Sequence, residues 1–171
     1  MKGFYETLSY INRTVYSPIG LNIKNVHEEK QNAKYGAGSF ETPFKTVRFR
    51  VASKTPKKVG QFVVIWRKDE NNKNRSYTYD EAHDLLVVTV FNESSEFGQF
   101  IFPKEILVKQ NIVSTNVREG KMGFRVYPEW DKPTSRQGIK TQEWQLPYFV
   151  YMNVSNQHDI LRLFSYEFSG K

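Results

Sequence analysis

Arg48 and Arg50, with Lys54, Lys57 and Lys58 close behind them, are the residues whose types and spacing most clearly imply chemistry. They lie in residues 42–68, a stretch holding eight Lys or Arg and no Asp or Glu, in a chain whose net charge is +7. Lys45 to Ala52 alternates apolar and polar residues as a half-buried strand does, with Val47, Phe49 and Val51 on one face and Arg48 and Arg50 on the other. Same-face residues two apart on a strand are about 6.6 Å from each other. Two guanidinium groups at that spacing, followed by three lysines in a Pro-containing loop, form a cationic strip suited to a polyanion. Arg125, between Phe124 and Val126, extends the strip. Tyr35, Tyr127 and Trp130 add flat faces in or beside Gly- or Pro-containing loops, with Trp66 and Trp144 as further aromatic candidates. Aromatic faces bind unstacked bases, so cations interleaved with aromatics favour single-stranded DNA or RNA over duplex. No helix-turn-helix, zinc-finger or RNP pattern accompanies them, which points to sequence-tolerant binding.

The same scan gives little to catalysis. His27, His83 and His158 show no ligand spacing, and there is no cysteine to supply a thiolate. No GxSxG or P-loop occurs. Neither a metal site nor a cofactor is expected. Tyr35-Gly36-Ala37-Gly38-Ser39-Phe40 could bring backbone N–H groups to a phosphate, or be a plain turn into a strand. The plain turn is the simpler reading.

These residues must be positioned by a small fold. A chain of 171 residues, 39% hydrophobic and 15% aromatic, holds one full core and is short for two, so a single domain over 1–171 is expected. Helical spacing predicts a helix over 3–15, which Ser17-Pro18 ends, and Leu21–Val26 alternates as a short strand. Residues 42–68 read as a hairpin whose second run, Gln61–Trp66, is buried on both faces. Strands are expected at Asp84–Phe91, Phe97–Phe102, Met122–Tyr127 and Tyr148–Met152. Helices are expected at Pro103–Gln110, from Thr134 or Ser135 to about Gln145, and over 155–167, where Ile160, Leu161 and Phe164 would dock. The pattern is α+β: a mixed β-sheet core flanked by helices. The N-terminus has no apolar h-region and no run reaches spanning length, so a cytoplasmic protein without a membrane partner is expected.

The segments QNAKYGAGSF, KTVRFRVASKTPKKVGQFVVIW, FGQFIFPKEIL and YPEWDKPTSRQGIKTQEWQLPYFV, in that order, resemble the MepB protein family over roughly residues 5–152. The resemblance implies a PD-(D/E)XK nuclease-like fold, nucleic-acid binding, and a bacterial setting beside a multidrug efflux pump and its repressor. A working nuclease of that fold needs two carboxylates for a divalent metal and a Lys two residues after the second. His83-Asp84 stands where the pattern has Pro-Asp, but the next strand offers Gln99-Phe100-Ile101 in place of an acid, any residue and Lys. Gln99 is a poor ligand for a hard cation. Glu28-Glu29-Lys30 and Glu119-Gly120-Lys121 match Glu-x-Lys only by chance of composition. The leading expectation is a non-catalytic binder of single-stranded nucleic acid or RNA, accessory to an efflux operon. The alternatives are an active Mg²⁺- or Mn²⁺-dependent nuclease using Asp84, and a protein- or small-molecule-binding module in a stress response.

Overall fold

The structure, a computed structural model, describes residues 3–167. Its strands are β1 (Lys24–Glu28), β2 (Gly38–Glu41), β3 (Thr46–Val51), β4 (Ser53–Thr55), β5 (Lys58–Val64), β6 (Arg67–Lys68), β7 (Asn74–Arg75), β8 (Leu85–Phe91), β9 (Phe97–Pro103), β10 (Gly123–Val126) and β11 (Phe149–Tyr151). Its α-helices are α1 (Phe4–Ile11), which a π-helical turn over Asn12–Tyr16 extends, α2 (Lys104–Lys109), α3 (Arg136–Gln145) and α4 (Gln157–Phe164). Six strands form one sheet in the order β1-β2-β3-β8-β9-β11, and β10-β5-β4 form a second. Only the β3–β8 pairing of the large sheet is parallel, which makes it mixed. The fold is α+β, as the sequence pattern predicts.

The period-2 alternation of the central strands divides the interior into two cores. Val47, Phe49, Leu85, Val87, Phe97 and Ile101 face α1 and α4, where they meet Phe4, Leu8, Ile160 and Phe164. Leu86, Val88, Val90, Phe100 and Phe102 face the other way, onto the small sheet and α2. β8 and β9 are thus covered on both faces, and their near-continuous apolar runs follow from that.

Several elements differ from expectation. Residues 42–68 are not one hairpin: β3 belongs to the large sheet, while β4 and β5 pair in the small one. β5 alternates, with Gln61 and Val63 buried and Phe62 and Val64 half-buried, rather than being buried on both faces. In α4 it is Leu163, not Leu161, that is fully buried beside Ile160 and Phe164. Pro103 ends β9 and caps α2 with extended backbone. Gly36-Ala37-Gly38 is the plain turn into β2: a Cβ on Gly38 would fall 2.2 Å from the Phe4 ring, so that glycine serves packing.

Candidate functional site

β3 does place Arg48 and Arg50 on one face, but that face is interior. The small sheet covers it, and Arg50 is completely buried. Arg50 donates to the carbonyls of Phe49 (2.9 Å) and Val64 (3.1 Å), which ties the large sheet to β5. Its Nη2 pairs with Glu29 at 3.1 Å, and Arg48 Nε meets the other Glu29 oxygen at 3.1 Å. Arg48 also lies over the Tyr77 ring, 3.6 Å from its centroid, and the Tyr77 hydroxyl donates to Glu29. Burial alone would raise the Glu29 carboxyl, yet Arg50 and Arg48 together hold it below the usual range. The expected outward strip is therefore corrected. Its two arginines form an internal cluster around one shared carboxylate, Glu29, set aside as a chance match, which offsets one of the two guanidinium charges.

His83 borders this cluster. Burial first, and the positive charge of Arg48 second, pull its imidazole down to about 4. Its buried Nδ1 makes no hydrogen bond among the described residues.

Asp84 and Gln99 do not meet. Asp84 immediately precedes β8, its carbonyl accepting from the Lys104 N–H, whereas Gln99 pairs with Thr89, five residues further along. That separation is about 17 Å at strand rise. The Asp84 carboxylate accepts from the backbone N–H (2.9 Å) and hydroxyl (3.1 Å) of Thr46. Gln99 is buried, accepts from the Tyr16 hydroxyl at 2.6 Å and donates to Thr89 at 3.0 Å. Both are structural struts. Among the described residues no group of three His, Cys, Asp or Glu could hold a metal.

The remaining candidate cations converge elsewhere. Lys57, Lys58 and Arg125 line a groove of about 660 Å³ between the small sheet and α3, joined by Lys121. None of these four makes an ion pair among the described residues, and no carboxylate lines the groove. Arg125 stands on β10 and donates across the β4–β5 hairpin to Thr55 Oγ1 (3.0 Å) and the Val59 carbonyl (3.3 Å), which fixes its position. Lys54 lies outside, half exposed and 3.5 Å from Glu93.

Local sequence builds the walls. Gly60 has φ +85°, and a Cβ there would lie 2.8 Å from the Tyr127 ring, so only glycine lets that ring close over β5. Ser135 caps α3 by accepting from the Gly138 N–H at 3.0 Å. Gln145, wholly buried, accepts from Tyr127 N–H (2.9 Å) and donates to the Arg125 carbonyl (2.9 Å), locking α3 to β10. Gln142 donates to the carbonyls of Pro128 and Asp131 and holds the intervening loop.

The aromatic candidates separate likewise. Tyr127 and Trp144 line the groove. Trp130 packs edge-on against Phe149, with centroids 5.9 Å apart, and Tyr35 is half-buried against the second core. Neither lines it. Sequence reading missed Lys121 and the two locking glutamines. A turn lysine and two helical glutamines carry no local signal of what they face.

Among the described residues no helix is long and apolar enough to cross a membrane. A family model described as MepB-like matches residues 29–151. The chain is similar to a solved structure described as the crystal structure of MepB, with 38% identity, a TM-score of 0.76, and coverage of 90% of this chain and 99% of that one. No curated protein matches it.

Proposed function

The chain belongs to the MepB-like family, and we propose that it is a sequence-tolerant binder of single-stranded nucleic acid, acting through the groove between β5, β10 and α3. One observation carries this reading: among the described residues, four cations without ion-pair partners surround a groove that no carboxylate lines. Lys and Arg side chains displace the counterions condensed on a phosphate backbone, and do so best where no protein carboxylate already holds them. The groove's mixed lining, with Ser135, Gln137 and Thr141 beside Tyr127 and Trp144, suits a strand that presents both phosphates and bases. We also propose the finer fold relation, a nuclease-like core of the PD-(D/E)XK kind that has lost its acid pair. The mixed sheet with its parallel β3–β8 pair supports it.

The test is fluorescence anisotropy with labelled single-stranded DNA and RNA across a salt series. About four phosphate contacts should make log K fall against log salt with a slope near −2.8. A flat salt dependence would remove the proposal, as would equal affinity in a Lys57→Ala, Lys58→Ala double variant. Incubation with Mg²⁺ or Mn²⁺ should leave the strand uncut.

A further inference from the structure

We propose that Trp144 is the base-stacking platform of this site, and that the bound strand runs past it along α3 towards Arg136 and Lys140. The proposal rests on the single-strand reading above and gives it a direction and a contact point. Trp144 lines two depressions: the cationic groove, and an adjoining one of about 810 Å³ along α3 that contains Arg136 and Lys140. The depressions share Gln110, Gln137, Thr141 and Trp144, so they adjoin one another along these four residues. Cations therefore line both depressions that border this partly exposed aromatic. Lys57, Lys58, Lys121 and Arg125 line one and Arg136 and Lys140 the other, with Glu143 the single carboxylate lining either depression among the described residues.

The indole is held for the task. Its ring lies 5.3 Å from that of Phe102, a fully buried residue of β9, so the platform is anchored in the core. Stacking on a fixed ring costs less side-chain entropy than stacking on a mobile one. The groups around it, Gln110, Gln137 and Thr141, are uncharged and carry both donors and acceptors. Such groups can bond the edge of any base, which fits tolerance of sequence. The other two tryptophans lack this setting: Trp66 lines neither depression and lies under Lys68 (5.2 Å), and Trp130 packs on Phe149 and Tyr151.

The experiment titrates the full chain with unlabelled oligo-dT and oligo-U of six and twelve nucleotides while reading tryptophan emission. Stacking should quench the emission of the wild type, of Trp66→Phe and of Trp130→Phe. Quenching should disappear in Trp144→Phe, with folding checked by circular dichroism. Trp144→Leu should weaken binding about tenfold. Arg136→Ala with Lys140→Ala should flatten the salt slope by about 1.4 for the twelve-mer and leave the six-mer nearly unchanged. Full quenching in Trp144→Phe overturns the proposal whether or not the leucine variant folds. Equal binding of a duplex of the same length overturns it too, since paired bases offer no free face. A wild type that binds no strand at low salt overturns both this inference and the function it rests on. Normal salt-dependent binding, with loss in Lys57→Ala, Lys58→Ala but an unaltered response to Trp144 changes, overturns this inference alone.

Discussion

Two sets of cations, drawn largely from one stretch of chain, have opposite fates. Arg48 and Arg50 sit on β3, covered by the small sheet and paired with the shared carboxylate of Glu29. Lys57, Lys58, Lys121 and Arg125 surround a groove and have no ion-pair partner among the described residues. The difference teaches that a basic run does not mark a binding surface by itself. Burial turns a guanidinium into a cross-link, because an interior charge is tolerable only when paired and fully hydrogen-bonded. The same charge beside open solvent keeps its field for a ligand.

The sharpest way to break this contrast is to remove the internal counter-charge. Glu29→Ala leaves the Arg50 guanidinium buried without its carboxylate and should cost about 3–5 kcal/mol in urea unfolding. Were that variant as stable as the wild type, the cluster would not be the structural half of the comparison. Acid should act in the same direction. The folded-state pKa of Glu29 is depressed, so its stabilisation is present above the ordinary carboxylate range and is lost as pH falls through the lower folded value.

His83 adds a second, higher pH window. The fold holds it neutral, with its pKa lowered from 6.5 to about 4, so the unfolded chain binds the extra proton between those values. Stability should be complete above pH 6.5 and decline towards pH 4, by about 2–3 kcal/mol. Thermal melts across that range should show this component missing in His83→Leu.

Binding measurements then sharpen the other half. Lys57→Ala with Lys58→Ala should weaken single-strand binding about tenfold at 0.1 M salt, equally for all sequences, and flatten the salt slope by about 1.4. Melting temperature should scarcely move, since both side chains are exposed. The smallest effect belongs to Asp84. Asp84→Ala loses its two bonds from Thr46 and should cost about 1 kcal/mol, while binding at the groove stays unchanged. A loss of binding in that variant would move the site to the far end of β8.

Much of the architecture was legible locally. The unbroken apolar runs of β8 and β9 announce strands covered on both faces, and Ser135 announces the start of α3. The alternation of Lys45–Ala52 correctly separates Val47 and Phe49 from Arg48 and Arg50. What alternation cannot report is which face meets solvent. Gln99 likewise read as a failed ligand, whereas it bridges Tyr16 and Thr89 inside the core, two partners that only the folded chain brings near.

Residue order alone determined the α+β class, most element positions and the excess of positive charge. Those follow from periodicity, capping and side-chain chemistry, all of which act within a few residues. Tertiary structure alone decided that Glu29, Arg48 and Arg50 form an internal cluster, and that Lys57, Lys58, Lys121 and Arg125 share a groove with Trp144. The reason is physical: burial and charge pairing depend on which layer covers a face, and here that layer comes from distant strands.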